Sequence, residues 1–481
     1  MNRITLIGSL IVALGFTSCQ QTANNSNQST IEEETNQKDI EYQIMVQRAT
    51  QTAIWAMPGV ALVDFIKATR RDLDGDYNDV LYLTEPFDSK HGFLTANDVT
   101  AYAWSNISIS NGPIVVEVPA ASEKVSYFGS FVNAWFQPIE DVGPAGADKG
   151  KGGKYVLVPP GYTDIIPEGY IVLDFDSYDV AFAFRPRLYN GATDADAAEY
   201  AQTIKVYNLS DANNPPLNKY IHVNPHAFNS LPTYDETFFQ DIDHLIQSNP
   251  IRPQDKAMVS LLKGLGIEKG KAFTPNEEQN KAMNEGLKMA YDYMQYLFST
   301  PGQAIKPLWE GKNNWYFWNF AEGQPQAGFP YETDQEILID GRAGAYFYVT
   351  YLPRYLGGGT FYLTGLRDNN GELYNGEDSY VLNVPANTPV KDFWSVIVYS
   401  METKGFIVGN DVLGLSSRDT ESMQINEDGS YDVYLGPKAP EGKESNWIPT
   451  GEDFFLLFRL YGPTTKDFYK SWMLGDVEKI K

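Results

Sequence analysis

The chain contains a single cysteine, Cys19, among 481 residues. It cannot form an intramolecular disulfide, so its fold must be stabilised by ordinary hydrophobic cores. Cys19 also ends an N-terminal pattern that consists of a cationic start, an apolar stretch from Ile4 to Phe16 and a few small residues. The apolar stretch is too short to span a bilayer, and this order of segments predicts a secretory signal.

A cysteine at this position resembles a bacterial lipobox, whose sulfur receives diacylglycerol before the signal is removed. We therefore predict a signal peptide over residues 1–18 and lipidation of Cys19, with a buried free thiol as the alternative. The polar segment that follows is expected to be a flexible tether over residues 19–40. Gln20, with no acidic run beside it, favours the outer membrane of the bacterial cell envelope, and leaves the periplasmic or surface face open.

The composition excludes some partners and favours others. With 62 acidic and 37 basic residues the formal net charge is -25, which argues against nucleic acids and anionic membrane surfaces as partners. Aromatic residues make up 14% of the chain, including 31 Tyr and 9 Trp. Tyr and Trp stack and hydrogen-bond at once, which suits both β-sandwich cores and sugar-binding clefts.

The hydrophobic pattern changes twice along the chain. Helical spacing over residues 42–71, which Pro58 and Gly59 are expected to kink or split, gives way to short alternating runs over residues 80–188. Helix-length segments follow in the middle, and strand patterns return from residue 314. This predicts a mainly β fold with an α-helical middle: two antiparallel β-sandwich domains joined by helices. The predicted units are residues 41–225, 226–310 and 311–481.

Candidate phosphate and metal motifs fail in detail. The glycine-rich run 143–153 lacks two of the required P-loop residues and precedes a strand, so we interpret it as a surface loop. The acidic run 72–79 does not fit an EF-hand, and whether it binds calcium is left open. His222 and His226 are separated by Pro225 and cannot share one helix face as zinc ligands. We predict no metal site and no cofactor.

Common nucleophile signatures are absent as well. There is no Gly-x-Ser-x-Gly elbow. Asp174 and Asp176 follow a strand-like alternation that places both on one face, and paired carboxylates are what glycoside hydrolysis requires. This pair is the basis of an alternative hydrolase hypothesis, although an acidic chain produces such pairs by chance.

Several short motifs resemble a known family. The first set comprises Leu94–Tyr102, Asn111–Pro119, Asp141–Gly146 and Lys151–Tyr162, and it resembles the domain of unknown function 1254. The second set resembles the domain of unknown function 1214 and comprises Asp340–Arg342, Tyr362–Thr364, Asp368–Gly376, Phe393–Tyr399, Ser417–Arg418, Asp428–Ser430, Leu435–Pro437, Asn446–Ile448 and Arg459–Pro463. The resemblance covers nearly everything after residue 40.

The resemblance implies two β-sandwich domains of the jelly-roll kind with helices between them, but no established activity and hence no catalytic residues. Motif residues with polar or aromatic character are our candidate ligand-binding residues: Asn97, Asp98, Tyr102, Arg342, Trp394, Ser395, Arg418, Asn446, Trp447 and Arg459. Each has a structural alternative, since Trp394 alternates like a core residue and Arg459 is expected to be buried in an ion pair.

We therefore interpret the chain as a lipid-anchored envelope protein that binds a glycan or another polar ligand in an aromatic cleft between or on the sandwiches. One alternative is a hydrolase of glycans or glycoconjugates. Another is a structural or interaction protein of the envelope. The sequence leaves open whether the protein is an enzyme, and it leaves the oligomeric state open.

Overall fold

The computed structural model describes residues 22–302, 304–319, 331–333, 335–355, 359–419 and 421–480; within residues 22–36 only the backbone is described. The predicted signal peptide and Cys19 lie outside the described residues.

The chain is mainly β, with helices before, between and beside the strands. The helices are α1 (Thr22–Leu73), α2 (Asp194–Ala201), α3 (Phe238–Ser248), α4 (Lys256–Leu262), α5 (Glu277–Ser299) and α6 (Ile339–Tyr346). The first group of strands is β1 (Val80–Tyr82), β2 (His91–Gly92), β3 (Ala103–Ser108), β4 (Ile114–Val118), β5 (Val125–Asn133), β6 (Pro138–Val142), β7 (Gly153–Val158), β8 (Ile171–Asp174), β9 (Asp179–Leu188), β10 (Lys205–Asn208), β11 (Tyr220–His222) and β12 (Phe228–Asn229). The second group is β13 (Ile305–Pro307), β14 (Trp315–Trp318), β15 (Thr360–Gly365), β16 (Ser379–Val384), β17 (Val390–Ser400), β18 (Gly414–Ser416), β19 (Tyr431–Gly436), β20 (Trp447–Pro449), β21 (Phe454–Pro463) and β22 (Glu478–Ile480).

The first group of strands forms a sandwich of two sheets. A six-stranded sheet has the order β11-β1-β3-β9-β5-β6, and a four-stranded sheet has the order β10-β4-β7-β8. Within these two sheets, the pairs β1–β11 and β7–β8 at the edges are parallel and the others are antiparallel. Side chains from both sheets, including Phe131, Tyr155 and Phe182, meet in one buried cluster. This is the packing of two inner faces that alternating strands provide.

The second group repeats this arrangement. Its six-stranded sheet has the order β13-β14-β15-β21-β17-β18, and its four-stranded sheet has the order β20-β19-β16-β22. The buried cluster between the two sheets includes Leu382, Trp394 and Phe458. The predicted fold class, two sandwiches with a helical middle, is confirmed.

The helices lie between the sandwiches and complete a third, larger core. α1 packs against α3, α5 and α6. Trp55 of α1 shares this core with Trp104 of the first sandwich and Tyr399 of the second. Both six-stranded sheets are therefore buried on both faces, and strands of that kind read as nearly continuous apolar runs. The run Phe454–Pro463 of β21 is an example.

Helix α1 differs from the sequence-based expectation in two ways. It begins at Thr22, so residues 22–40 are helical where we predicted a flexible tether, and the exposed residues 37–40 extend the helix beyond its packed part. It also continues through Pro58, which is part of the helix. Pro58 removes one backbone donor, but its neighbours Met57 and Val60 are fully buried. Tertiary packing on these neighbours offsets the local cost of the proline.

Among the described residues one helix, Gln37–Leu73, has the length and apolar character of a membrane span. Of its most apolar window 94% is buried inside the protein. The apolar residues of this helix are accounted for by the central core.

The contact between α1 and α5 is unusually close at Gly286. A Cβ atom built on Gly286 would lie 2.5 Å from the Cβ atom of Ala49 and 2.7 Å from the carbonyl oxygen of Val46. The absence of a side chain at this position allows the two helices to approach each other.

Candidate ligand-binding cleft

The motif Leu94–Tyr102 connects the two sandwiches. It follows β2, which pairs with β12, and several of its hydrogen bonds go to the second sandwich. The Thr95 N–H donates to the Lys404 carbonyl at 2.9 Å, and the Asn97 Nδ2 amide donates to the Tyr461 hydroxyl at 2.7 Å. Arg459 Nη2 donates to the Thr95 carbonyl at 2.9 Å. The structure therefore brings the predicted residues Asn97, Asp98, Tyr102 and Arg459 together.

Arg459 is buried in this contact without the carboxylate partner that we expected. It is 1% exposed, and its Nε and Nη1 atoms have no hydrogen-bond partner among the described residues. Its guanidinium carbon lies 5.1 Å from the ring centre of Tyr362 and 5.5 Å from that of Tyr399. Aromatic faces thus provide much of the stabilisation of this charge.

Asp98 is the nearby carboxyl group. Asp98 as a whole is partly exposed, but its Oδ1 oxygen is buried and has no hydrogen-bond partner among the described residues. Burial raises the pKa of Asp98 to about 7, against the opposing attraction of Arg459. Around neutral pH, Asp98 therefore balances the charge of Arg459 only in part.

A cavity of about 560 Å3 lies beside this contact, between the two six-stranded sheets. We call it the inter-sandwich cleft. Its walls carry aromatic side chains from both sandwiches and from the connection between α6 and β15: Tyr102, Phe128, Phe317, Trp318, Tyr351, Tyr355, Phe361, Tyr362, Phe468 and Tyr469. Phe317 and Phe361 stack with ring centres 4.4 Å apart and planes within 9°. The cleft has the size and the mainly apolar lining of a small-molecule site.

Strand register explains how the polar end of the cleft forms. In the first sandwich Phe128 of β5 pairs with Arg185 of β9, and in the second Tyr362 of β15 pairs with Arg459 of β21. Directly paired residues point to the same face of a sheet. These faces of the two six-stranded sheets are turned toward each other, so the side chains of one pair face those of the other pair.

Arg185 lines the polar end of the cleft. Its guanidinium carbon lies 5.0 Å from the ring centre of Tyr102 and 6.0 Å from each of the ring centres of Phe128 and Tyr362. Its Nη1 atom donates a hydrogen bond to the Tyr362 hydroxyl. In the described part of the chain no carboxylate forms an ion pair with Arg185.

Tyr362 lies between the two guanidinium groups. Burial alone would raise the pKa of its phenol, but Arg185 and Arg459 together outweigh burial and lower that pKa below its ordinary value. The pKa of Tyr102, in contrast, is raised, because burial outweighs the attraction of Arg185. The polar end of the cleft therefore has a strongly positive electrostatic potential.

A second cavity, of about 250 Å3, lies along the same boundary and shares Phe128, Arg187 and Gly359 with the cleft. The predicted residue Arg418 lines it, with its guanidinium carbon 3.7 Å from the ring centre of Phe393. Arg187 and Asp392 form an ion pair across the boundary at 2.7 Å. Arg418 is thus near the predicted group but not in the inter-sandwich cleft.

Four other candidate residues pack in the core of the second sandwich or stabilise its loops. Trp394 belongs to the core of the second sandwich, where it stacks on Phe458. Ser395 is fully buried and pairs in register with Arg459. Asn446 bonds the carbonyls of Gln424 and Asp432, and the Trp447 indole donates to the Gly436 carbonyl at 2.9 Å. These contacts stabilise loops and an edge strand, and none of the four residues lines the cleft.

Arg342 lies in a separate buried cluster under α6. Its Nη2 donates to the Trp55 carbonyl at 3.0 Å, and its guanidinium carbon lies 5.2 Å from the Trp135 ring centre. Arg252 approaches the same Trp135 ring at 4.6 Å and forms ion pairs with Asp255 and Asp176. This cluster joins α1, α6 and the first sandwich within the core.

The carboxylates of the hydrolase alternative do not line the inter-sandwich cleft. Asp174 is exposed at the end of β8, and Asp176 accepts hydrogen bonds from Asn133 Nδ2 at 2.8 Å and Arg252 Nη1 at 3.1 Å. Asp141 does line the cleft, but its carboxylate accepts from the Ser130 hydroxyl and the backbone N–H groups of Arg354 and Tyr355. Through these hydrogen bonds Asp141 stabilises the wall of the cleft.

Three of the four carboxylates in the acidic run 72–79 have a cationic partner in the protein. Arg70 pairs with Asp76 at 2.6 Å, Arg71 with Asp72 at 2.6 Å, and Lys219 with Asp79 at 3.5 Å. Over the described residues, no group of three or more His, Cys, Asp or Glu side chains is arranged to hold a metal ion.

Sequence reasoning missed Arg185, Tyr362 and Tyr461. Part of the signal was present in β9 and β21, where Arg185 directly follows the apolar run 180–184 and Arg459 directly follows the apolar run 454–458. A polar residue on one face of a doubly buried strand must be satisfied by something on that face. Which sheet supplies the partner depends on how the sandwiches pack, and a strand pattern does not contain that information.

The fold and the cleft define a protein of two β-sandwiches around central helices, with an aromatic cavity at their boundary. Residues 77–208 match the family described as "Protein of unknown function (DUF1254)", and residues 359–465 match "Protein of unknown function (DUF1214)". The chain therefore carries both of these domains, in this order. Arg185 falls in the first matched range and Tyr362 and Arg459 in the second, so the cleft lies where the two domains meet.

Two solved structures are similar to the chain. The VPA0106 protein from Vibrio parahaemolyticus is 17% identical with a TM-score of 0.55, and the match covers 91% of this chain and 100% of that one. A protein from Burkholderia cenocepacia is 11% identical with a TM-score of 0.39, covering 93% and 98%. The first similarity supports the fold alone. No curated protein matches the chain.

Proposed function

We propose that this protein is a binding protein that takes a glycan, or another polar organic ligand with an apolar face, in the inter-sandwich cleft. The observation that carries the proposal is the cleft itself: a cavity of about 560 Å3 that is walled by aromatic rings from both sandwiches and has polar groups at one end. Aromatic faces bind the apolar faces of sugar rings and planar molecules, and a few polar groups fix their orientation.

A thermal-shift and glycan-array screen on the full chain tests this proposal. A bound ligand raises the melting temperature in proportion to its concentration relative to its Kd. Phe361→Ala removes one ring of the stacked pair in the cleft wall and is expected to reduce the shift. Tyr296→Ala, which removes an exposed ring on α5 outside the cleft, is the matched control. Equal loss of the shift in both variants would contradict cleft binding.

For the cell, the proposal is a lipid-anchored protein of the bacterial envelope, at the outer membrane. Its support is the order of the N-terminal segments, with Cys19 directly after the apolar stretch and the small residues. Metabolic labelling with a fatty-acid analogue tests it. Label is expected on the natural chain and absent from Cys19→Ser, and an unlabelled natural chain would contradict the anchor.

A further inference from the structure

The two cations at the end of the cleft lack a matching number of anions. Arg185 and Arg459 both carry permanent charges, since guanidinium groups do not lose their proton in proteins. The one carboxyl group that faces Arg459 is Asp98, and Arg185 has no carboxylate partner within the described residues. An unpaired charge away from water is costly, so an anion that enters the cleft supplies compensation that the described carboxylates do not.

Arg185 is placed to receive such a partner. It lines the cavity and is only partly buried, whereas Arg459 lies behind Tyr362 and is 1% exposed. Of the five N–H groups of the Arg185 side chain, one has an acceptor among the described residues, the Tyr362 hydroxyl. The remaining donors suit the two oxygens of a planar oxyanion, which guanidinium groups bind in a bidentate manner.

The residues that surround Arg185 disfavour a cationic ligand. The two guanidinium groups repel a cationic ligand, and the aromatic wall favours an apolar body attached to the anion. Arg187, Lys306 and Lys466 also line the cleft, so an anion approaches along a mainly cationic path, with Asp141 and Asp467 as the acidic exceptions.

We infer that the ligand of the inter-sandwich cleft is an organic oxyanion, a carboxylate whose apolar sugar-ring or aryl body lies on the aromatic wall while its oxygens bind Arg185. This inference rests on the proposed function and adds the charge of the ligand to it. Arg185 is then the residue that determines specificity for the anion, with Tyr362 holding its guanidinium in place.

Two pairs of probes that differ in charge test the inference by calorimetric titration of the full chain. One pair is digalacturonate and galactobiose, and the other is 3-phenylpropanoate and 3-phenylpropan-1-ol. We expect one anionic probe to bind at least about tenfold more tightly than its neutral partner, the range that charge-assisted hydrogen bonds provide. The pair that shows the difference identifies the body of the ligand as sugar or aryl.

Arg185→Met is expected to abolish this difference, because the affinity for the anionic probe falls to about that for its neutral partner. Tyr362→Phe, which keeps the ring and removes the hydroxyl, should reduce the difference by a few fold. Arg70→Gln, which removes an arginine of α1 that lies outside the cleft and pairs with Asp76, is the matched control and should retain it. Circular dichroism and melting curves establish that each variant is folded.

The outcomes separate the inference from the proposed function. Neutral and anionic probes that bind equally, with binding lost in Phe361→Ala, would overturn the inference and leave the function standing. A charge preference that survives in folded Arg185→Met and in Tyr362→Phe would overturn it too. No binding of any of the four probes at millimolar concentration would count against both.

Discussion

Replacing Asp98 with asparagine is expected to remove a pH-dependent part of the free energy of unfolding. Burial raises the pKa of Asp98 from its ordinary 3.8 to about 7. The folded protein then holds this proton more tightly than the unfolded chain. The stability that protonated Asp98 contributes is complete below about pH 4 and is lost as the pH rises through about 7.

The size of the effect follows from this change in pKa. Each pKa unit corresponds to about 1.4 kcal/mol, so the full change corresponds to about 4 kcal/mol, of which roughly 3 falls between pH 4.5 and 8. Because the residue is partly exposed, solvent screening reduces this, and we expect about 2 kcal/mol. Asparagine resembles the protonated acid and does not titrate.

Urea unfolding at pH 4.5 and 8 measures this difference. Relative to the natural chain, Asp98→Asn should gain about 2 kcal/mol at pH 8 over its value at pH 4.5. Asp428→Asn is the control, since hydrogen bonds from Ser430 lower the pKa of Asp428 and any pH effect should have the opposite sign. A natural chain that is the more stable of the two at pH 8 would show that ionised Asp98 stabilises the fold through Arg459, and would refute the reasoning.

Three further substitutions test the charges and the packing of the core. Arg252→Met should lower the free energy of unfolding by about 3–5 kcal/mol, because it leaves the buried Asp255 without its cationic partner. Arg185→Met leaves no carboxylate unpaired and should change the free energy of unfolding by less than about 1 kcal/mol. Equal losses in urea unfolding would contradict this difference. Gly286→Ala should destabilise the chain by about 1–3 kcal/mol despite the better helix propensity of alanine, because its Cβ would lie 2.5 Å from Ala49. A raised melting temperature for Gly286→Ala would contradict the close contact of α1 and α5.

The fold was predictable because the apolar residues recur along the sequence with the clear spacings of strands and helices. Alternating runs, helix-length segments and turn residues identified the two sandwiches and the helical middle. Residues 22–40 of α1 were not predicted to be helical, since a polar composition resembles a tether whether or not a packed helix continues into it. Pro58 was expected to kink or split the helix, and it lies inside α1 instead. The burial of its neighbours, which offsets the cost of the proline, is a tertiary effect that the local sequence does not contain.

The candidate site was predicted in part, for a physical reason. Asn97, Asp98, Tyr102 and Arg459 were identified together because they combine polar groups with family motifs, and they do meet. Asn446 and Trp447 have the same character, but their hydrogen bonds satisfy backbone groups of nearby loops. A polar motif residue that stabilises a loop and one that faces a ligand look alike until the packing of the sheets is known.

The measurement that tests the central claim most directly is a crystal structure of the full chain with the tightest-binding ligand of the screens. The account predicts that the ligand lies between the six-stranded sheets, with its apolar face on Phe361 and its oxygens within hydrogen-bond distance of Arg185. A ligand found in another cavity, for example the groove lined by Asp235 and Tyr291, with the inter-sandwich cleft holding only water, would contradict it.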